Sequence, residues 1–586
     1  MKTVIIALNS KYIHSALAPW YLKANCPPDC GEVKVMEFSI NEMIDTMLAR
    51  IYEEKCDVAA FSCYIWNIGE VMKLADNLKK INPQVKIILG GPEVSFNAHE
   101  IMEKNNFIDY ILSGEGEFAF GQLLYSFASE SVDIGSIKSL TYRDGERIIQ
   151  GGMYGVIEDL NLVNSPYNDK MLAATGNKML YYESSRGCPF DCSYCLSSTF
   201  KGVRYLPMDR VKSELLSFIR AGVKMVKFVD RTFNCNLSRA KQILSFIIEN
   251  ASKTHFHFEA AADLFDEEML DILAKAPAGL IQFEIGIQST NSRTLDAVNR
   301  KTRLNEVFSN IRKLNSLGNV HLHLDLIVGL PYEDYESFRK SFNAVCELEP
   351  QQLQVGFLKL LKGSRIRTET DKHGYKSRNY PPYEILSSDY LSFGEITRLK
   401  NIEDMVERFM NSGRFNKTIN YLIKNFFYSP FDFYEKLSVY FKKSGYFDRS
   451  LSSRELYTII LEFVKKSELE IDLKVVNELL KFDFLISNNT NNLPEGINRN
   501  MDVSFKEKCF EFLKCGENIP KYIPGFEGLP AKQIYGRVHF EIFSFDVTKD
   551  NIGGDESTVV LFDYTTDNPV SGHFCFSKVP VLVQNH

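Results

Sequence analysis

The sequence predicts an α/β protein with an N-terminal Rossmann-like doubly wound sheet, a partial (βα)6 barrel of the TIM type and a mostly helical C-terminal extension. Three observations predict this fold class. Short apolar runs alternate with helical patterns over the first part of the chain, and the same alternation resumes later for six more units. The last third carries long, aromatic-rich helical patterns instead. We place the segments at 1–130, 131–175 (a connection), 176–365 and 366–586.

The first segment contains five strand candidates separated by helical patterns. Continuous apolar strands favour a parallel sheet, and ligands of such sheets bind beyond the carboxyl ends of the strands. Glycines follow several of these ends and would let a large flat ligand approach the backbone. No G-x-G-x-x-G run follows the first strand, which argues against a dinucleotide. The strand candidates are Thr3–Leu8, Val33–Phe38, Val58–Ser62, Val85–Leu89 and Tyr110–Leu112, and the first helix is expected over His14–Lys23.

The middle segment has the strand and helix alternation of an open barrel, whose active site is expected at the carboxyl ends of the strands. Two of its strands, at His255–Glu259 and His321–Asp325, alternate histidine or carboxylate with apolar residues, so their polar side chains share one face. We favour lumen residues that hydrogen-bond to one another or line a substrate cavity, and the alternative is a metal site. The six strand candidates are Met179–Glu183, Met225–Val229, His255–Ala260, Leu280–Ile287, His321–Val328 and Gln354–Leu360.

A C-x3-C-x2-C run, formed by Cys188, Cys192 and Cys195, follows the first barrel strand. Three thiolates this close can bind three irons of a [4Fe–4S] cube and leave the fourth iron open. A structural zinc site normally has four ligands, and the nearest further candidates in the sequence are Cys235 and His255. A disulfide framework does not suit a chain of this size and type. We therefore favour a cluster over zinc or incidental cysteines.

The run Arg-Gly-Cys-Pro-Phe-Asp-Cys-Ser-Tyr-Cys, with Tyr194 before its third cysteine, resembles the signature of the radical S-adenosylmethionine (SAM) superfamily. The resemblance implies that the open iron binds SAM and that an electron from the cluster cleaves SAM to a 5′-deoxyadenosyl radical. It implies further SAM contacts at the ends of the barrel strands, although the family's usual Gly-Gly-Glu after the second strand is replaced here. These expected contacts are Asp230, Arg231, Glu284, Gln288 and Gly329, besides Tyr194 near the cluster.

The first domain, placed before this motif, resembles the cobalamin-binding domain of the B12-dependent radical SAM enzymes. Its Gly-Gly-Pro and Gly-Glu-Gly-Glu turns are similar to that family's. The D-x-H-x-x-G motif, which supplies a histidine to cobalt in other cobalamin proteins, is absent, as it is in many radical SAM members. The C-terminal part resembles an uncharacterised extension on one branch of the family. The implied cobalamin contacts are Ser10, Tyr12, Ser62, Tyr64, Gly90, Gly91, Pro92, Gly114, Glu115 and Gly116.

The resemblance implies a radical SAM enzyme with a [4Fe–4S] cluster, SAM and cobalamin as cofactors. We expect a transferase that methylates an unactivated carbon; no residue is assigned as a catalytic acid or base. The alternative is a lyase or rearrangement enzyme that acts on a modified nucleoside or nucleotide without methyl transfer. A third hypothesis, a non-catalytic cobalamin or redox sensor, conflicts with the intact cysteine run. The expected partners are a small-molecule or modified-nucleotide substrate and an electron donor such as flavodoxin or ferredoxin.

Composition and charge set further expectations. The 586-residue chain has a net charge of -7, which gives no general attraction to nucleic acid or anionic membrane. No apolar run approaches the roughly 18 residues of a membrane span. The apolar N-terminal stretch is too short for a signal peptide and suits a buried first strand. With no export signal, the remaining cysteines are expected to be reduced thiols in the cytoplasm, a setting that suits an oxygen-sensitive cluster.

Overall fold

The computed structural model describes residues 1–129, 133–152, 156–251, 253–490, 492–500, 504–549 and 557–580. Among the helices of these ranges, none combines the length and apolar character that crossing a membrane requires. The chain divides into two units, which are described separately. The first unit is Met1–Val320, Ile327–Asp334 and Gly356–Phe393, and the second is His321–Leu326, Tyr335–Val355 and Gly394–His586.

A seven-stranded sheet begins the first unit. Its strands are β1 (Lys2–Asn9), β2 (Glu32–Ser39), β3 (Val58–Ser62), β4 (Lys86–Gly90), β5 (Tyr110–Leu112), β6 (Leu140–Asp144) and β7 (Arg147–Gln150). They run in the order β2-β1-β3-β4-β5-β6-β7, in which the first five are parallel and the last two are antiparallel additions. The connecting helices are α1 (Ala18–Ala24), α2 (Ile44–Glu53), α3 (Ile68–Ile81), α4 (Pro92–Ser95), α5 (Ala98–Lys104) and α6 (Glu117–Ala128).

Burial explains why these strands have continuous apolar sequences. The six central residues of β1 are all buried, as expected for a parallel strand covered on both faces. The predicted parallel, doubly wound sheet is therefore confirmed. The first helix, however, begins at Ala18 and not at His14. The preceding residues stay non-helical because the carbonyl of Ile13 accepts the amide of Met179 at 2.7 Å, and the Ser15 hydroxyl donates to the Met179 carbonyl at 2.8 Å.

The barrel segment follows with all six predicted strands present. Strands β8, β11, β12 and β13 lie side by side in parallel within the first unit, whereas β9 and β10 form a separate antiparallel hairpin. The strands are β8 (Leu180–Tyr182), β9 (Ser185–Cys188), β10 (Gly202–Tyr205), β11 (Met225–Phe228), β12 (His255–Ala260), β13 (Ile281–Gln288), β14 (His321–Val328) and β15 (Gln352–Phe357). The helices are α7 (Asp169–Thr175), α8 (Met208–Arg220), α9 (Leu237–Asn250), α10 (Glu267–Leu273), α11 (Ser292–Ala297), α12 (Leu304–Leu317), α13 (Tyr335–Cys346) and α14 (Arg365–Thr368).

The rest of the chain is mostly helical, as the sequence predicts. A short ribbon in the first unit, β16 (Lys376–Ser377) and β17 (Ile385–Ser387), precedes it. The helices are α15 (Phe393–Met405), α16 (Asn416–Phe426), α17 (Pro430–Lys443), α18 (Ser453–Lys466), α19 (Leu473–Ser487), α20 (Phe505–Lys514), α21 (Asn518–Tyr522) and α22 (Ala531–Tyr535), with a π-helical turn over Val406–Met410. A three-stranded antiparallel sheet follows, made of β18 (Val538–Phe543), β19 (Thr558–Asp567) and β20 (Phe574–Val579).

Candidate cofactor site

The three predicted cluster cysteines lie at the end of β9 and on the loop that joins β9 to β10. Cys192 is buried, whereas Cys188 and Cys195 are half-buried, and all three are free thiols. Gly187 is required beside them, because its φ is +99° and a Cβ there would lie 2.1 Å from the carbonyl oxygen of Gly202. This close crossing of two backbones turns the chain into the cysteine loop.

The loop surrounds its sulfur atoms with hydrogen-bond donors. The hydroxyl of Thr232 lies 3.4 Å from the Sγ of Cys188, and the amide of Ser197 donates to the Sγ of Cys195 at 3.4 Å. The Nη1 of Arg300 lies 3.8 Å from the Sγ of Cys192. Burial raises the pKa of Cys192, and the guanidinium of Arg300 opposes that effect. These contacts fit sulfur atoms that carry negative charge, as the thiolates of an iron–sulfur cluster do.

The arrangement distinguishes a cluster from zinc. Within the described residues, no three or more His, Cys, Asp or Glu side chains are grouped so that they could hold a single metal ion. Zinc would need its sulfur ligands about 2.3 Å from one point. A [4Fe–4S] cube binds each thiolate to a different iron, so its ligands do not converge on a point. The three thiols match the number that a cube with one open iron would need from the protein.

Unpartnered polar atoms lie near the cysteines. The Nε of Arg300, the Oε1 of Gln288 and the Oγ of Ser193 are buried and have no hydrogen-bond partner in the described ranges. Arg300 also donates to the hydroxyl of Tyr194 at 3.4 Å and to the carbonyl of Gly286. Buried polar groups are normally paired, so these atoms fit a site for a polar ligand such as SAM. Sequence reasoning missed Arg300, because no spacing or motif that we used marks it.

Asp230 is held by hydrogen bonds within the chain, and its role as a SAM contact stays a prediction. It is fully buried, and its Oδ1 accepts the amides of Ser184 and Ser185 at 2.8 and 2.6 Å and the Ser185 hydroxyl at 3.0 Å. Burial raises its pKa to about 7, against the effect of these hydrogen bonds. The carboxylate is thus engaged by the chain and holds the start of β9. The neighbouring Arg231 is exposed and lines a cavity at the edge of the seven-stranded sheet.

Two of the predicted lumen histidines, His257 and His323, lie beside carboxylates. Glu284 accepts from the Nζ of Lys227 at 2.9 Å and lies 2.8 Å from the Nε2 of His257. In the second unit, the Nε2 of His323 lies 3.2 Å from the Oδ1 of Asp325. The contacts of His257 and Glu284 are of the hydrogen-bonded kind that the sequence analysis favours for the lumen. Glu284 is paired with Lys227 within the chain, and its role as a SAM contact stays a prediction.

Gly329 is in close contact with the chain itself. Its φ is +92°, and a Cβ there would lie 2.0 Å from the Cδ1 of Ile385. Its carbonyl accepts the hydroxyl of Tyr375 at 2.9 Å. The glycine is required by this packing, so the predicted approach of its backbone to an adenosyl group does not follow from the structure.

A cavity of about 390 Å³ opens at the carboxyl edge of the seven-stranded sheet. Glycines shape its wall: Gly91 has a φ of +112°, and a Cβ there would lie 2.5 Å from the carbonyl oxygen of Cys63. The segment that follows the third cysteine and Arg231 also line it. Predicted contacts that line the cavity are Ser62, Tyr64, Gly90, Gly91, Pro92, Gly114, Glu115 and Gly116, and the residues from the cysteine side are Leu196, Ser197, Thr199 and Phe200.

Two predicted cobalamin contacts lie elsewhere. Ser10 and Tyr12 are not among the residues that line the cavity, and Tyr12 is 62% exposed. Their loop is held toward Met179 by the hydrogen bonds of Ile13 and Ser15. The described residues that line the cavity include no histidine. A broad cradle with glycine turns and apolar walls fits a corrinoid held without a histidine from the protein.

Three family models match the chain. The B12-binding domain matches residues 3–124, the radical SAM superfamily matches residues 182–345, and a protein family of unknown function, DUF4080, matches residues 371–562. The first two matches cover the cavity wall and the cysteine loop. The third covers most of the predicted C-terminal extension.

Known proteins share the first two parts. TokK, the cobalamin-dependent radical SAM methyltransferase of Streptomyces tokunonensis, is 28% identical over 344 residues, which are 56% of this chain and 50% of TokK. The anaerobic magnesium-protoporphyrin IX monomethyl ester cyclase of Cereibacter sphaeroides is 22% identical over 346 residues, which are 55% of this chain and 56% of the cyclase. The chain thus spans about half the length of the curated relatives that it matches.

The fold is shared with a solved structure as well. The structure of OxsB, a cobalamin-dependent SAM radical enzyme, with aqua-cobalamin and SAM bound has a TM-score of 0.54 at 14% identity, and the likeness covers 83% of this chain and 79% of OxsB. Together with the cysteine loop and the glycine-walled cavity, the matching families define the cofactors as a [4Fe–4S] cluster, SAM and cobalamin. The chain therefore combines a B12-binding domain with a radical SAM domain, the combination named in cobalamin-dependent radical SAM enzymes such as OxsB.

Proposed function

We propose that the protein is a cobalamin-dependent radical SAM methyltransferase that methylates an unactivated carbon of a small molecule or modified nucleotide. The observation that carries this proposal is the shared wall of the cavity. Glycine turns of the first sheet form one side, and Leu196, Ser197, Thr199 and Phe200, directly after Cys195, form the other. A corrinoid in this cavity would therefore adjoin the cysteine loop. The methyltransferase TokK supports the same reaction class.

Each cofactor would have its own set of residues. When bound, the cluster and SAM would supply a 5′-deoxyadenosyl radical and cobalamin would supply the methyl group. Cys188, Cys192 and Cys195 would hold the cluster. Arg300 would bind an anionic group of SAM, because its guanidinium is beside the cysteines and its Nε is unpartnered in the described ranges. Gln288 would add a carboxamide oxygen as an acceptor.

The cavity wall would also exclude water. Phe61, Leu89 and Leu112 line the cavity and are almost fully buried. Apolar walls of this kind keep solvent from reactive groups and so suppress side reactions. The backbone turns at Gly91 and Gly114 would allow a flat ring to approach closely, since both have positive φ and no side chain. We also propose the cofactor contacts and the four segments (1–130, 131–175, 176–365 and 366–586) that the sequence predicts.

The reaction class has a direct test that does not depend on the identity of the substrate. The anaerobic protein, with cluster and cobalamin, is incubated with SAM that carries a deuterated methyl group, a reductant and a fractionated extract of small molecules. We expect 5′-deoxyadenosine and S-adenosylhomocysteine together with a trideuterated product. Deoxyadenosine without any labelled product would contradict methyl transfer and favour a lyase. We expect flavodoxin or ferredoxin to replace the chemical reductant.

A further inference from the structure

A buried group of charged side chains joins the wall of the corrinoid cavity to the cysteine hairpin. Glu115 and Glu117 follow β5, and Arg186 and Arg204 are opposite each other on β9 and β10. The Nη2 of Arg204 lies 2.6 Å from the Oε1 of Glu115, and its Nη1 lies 2.9 Å from the Oε2. Arg186 pairs with Glu117, with Glu183 at 2.6 Å and, more distantly, with Glu115 at 3.6 Å. Both strands of the hairpin are thus bound to one turn of the first sheet.

The pair Glu115–Arg204 has the features of a directional contact. Its two parallel hydrogen bonds form the fork geometry that fixes the orientation of a guanidinium and a carboxylate. The side chains of Arg204 and Glu115 are only 17% and 20% exposed. Burial disfavours the charged carboxylate, but Arg204 and the amide of Ile157 outweigh this effect and lower the pKa of Glu115. Arg204 also donates to the carbonyl of Ile157 at 2.5 Å.

The pair Glu115–Arg204 lies between the wall of the cavity and the hairpin that leads to the cysteine loop. Gly114, Glu115 and Gly116 line the cavity, and β9, the partner of the strand that carries Arg204, ends at Cys188. Burying an ion pair gives little net stability compared with apolar packing, so its value here lies in fixing geometry. We propose that Arg204, through Glu115, is a positioning residue that aligns the SAM and cluster site with the corrinoid cavity. This inference rests on the function proposed above.

A partial reaction measures this alignment without the unknown substrate. With titanium(III) citrate as the reductant, bound cobalamin in its cobalt(I) state would supply the electron pair of a new Co–C bond to the methyl carbon of SAM. The sulfur would keep the pair of the broken S–C bond and leave as S-adenosylhomocysteine, so that cobalt would become formally trivalent. Two further measurements test each site separately: the Kd for hydroxocobalamin, and the release of 5′-deoxyadenosine from SAM with dithionite.

Arg204→Gln removes both the positive charge and the two parallel hydrogen bonds to Glu115. Arg204→Lys keeps the charge but not the two parallel hydrogen bonds. Arg210→Gln is a matched control. Arg210 pairs with Glu214 at 3.0 Å, donates to the carbonyl of Val163 at 2.6 Å and is 16% exposed, but these two partners lie on α8 and in the connecting segment. In Arg204→Gln we expect methyl transfer to cobalt to fall about tenfold or more, with the Kd and deoxyadenosine release within about threefold of the unchanged protein. Arg204→Lys should be intermediate, and Arg210→Gln should leave all three unchanged within the same margin.

The pair itself is tested by the double variant Glu115→Gln/Arg204→Gln, whose loss should be smaller than the product of the single losses. Equal fold losses of methyl transfer, of 5′-deoxyadenosine release and of affinity for hydroxocobalamin in both Arg204 variants would show a merely structural role and overturn the proposal. Unchanged methyl transfer to cobalt in Arg204→Gln would overturn it as well. If the unchanged protein itself formed no methylcobalamin, the proposed function would fail instead, so the two failures are distinguishable.

Discussion

Replacing Gly91 by alanine should weaken corrinoid binding, and the structure allows the size of the effect to be worked out. Gly91 has φ +112° and ψ 174°, a region almost restricted to glycine, where another residue costs about 1–3 kcal/mol. The new Cβ would also lie 2.5 Å from the carbonyl oxygen of Cys63, well inside the roughly 3.5 Å of an ordinary contact. The wall must therefore move by about 1 Å. If about 2 kcal/mol is needed to restore its shape on binding, the Kd rises about 30-fold.

The assay is a titration of the cluster-free protein with hydroxocobalamin, followed by absorbance, with the melting temperature measured separately. Gly31→Ala is the matched control: Gly31 has a φ of +94°, and its Cβ would lie 2.2 Å from the carbonyl oxygen of Met1. It does not line the cavity. We expect both variants to melt earlier but only Gly91→Ala to lose affinity. Unchanged corrinoid binding by Gly91→Ala, or equal weakening by both variants, would refute the assignment of the cavity.

Three further predictions concern the cysteine loop and the second unit. Arg300→Gln should raise the Kd for SAM, measured by calorimetry, about tenfold or more. The control Arg303→Gln, at a side chain that is 60% exposed, should leave this Kd unchanged. Equal Kd values in the two variants would contradict an anion-binding role for Arg300. Asp230→Ala leaves the buried amides of Ser184 and Ser185 unpaired, at a cost of about 1–3 kcal/mol each. Because β9 leads into the cysteine loop, the reconstituted variant should contain less iron per chain. Full iron content in the variant would contradict the role of Asp230 in holding β9. Burial raises the pKa of Asp483 to about 7, above its ordinary value of 3.8, so the folded protein favours the protonated carboxyl. The stability that this protonation adds is complete below about pH 4 and is lost as the pH rises through 7. Asp483→Asn should therefore flatten the fall in melting temperature between pH 5 and pH 8, and an unchanged slope would show that Asp483 does not cause it.

The strands of the first sheet, the glycine turns and the cysteine loop could be predicted because each depends on residues that are close in sequence. The strands of the first sheet follow from continuous apolar runs, since burial on both faces leaves no alternation. The turns at Gly90-Gly91-Pro92 and Gly114-Glu115-Gly116 were found because glycine at a strand end is a local feature, and both line the cavity. The cysteine loop was equally evident, because its three thiols are close in sequence.

Contacts between distant parts of the chain account for what the sequence could not predict. Asp230 binds Ser184 and Ser185, about 45 residues earlier, and nothing in its own neighbourhood indicates this. Arg300 contacts Cys192 from 108 residues away. Helix α1 begins late because Met179 holds the loop before it, so a helical pattern starting at His14 was overridden by tertiary hydrogen bonds. Periodicity reports which face is buried, but not which distant group will meet it.

The central claim is that one chain holds an open iron–sulfur cluster and a corrinoid side by side. The most direct measurement is the iron, sulfide and corrinoid content of the anaerobically purified, reconstituted protein and of its Cys188→Ala/Cys192→Ala/Cys195→Ala variant. We expect about four iron, about four sulfide and about one corrinoid per chain in the unchanged protein. In the variant, iron and sulfide should be lost while the corrinoid remains. A protein that takes up no corrinoid, or a variant that keeps its iron, would contradict it.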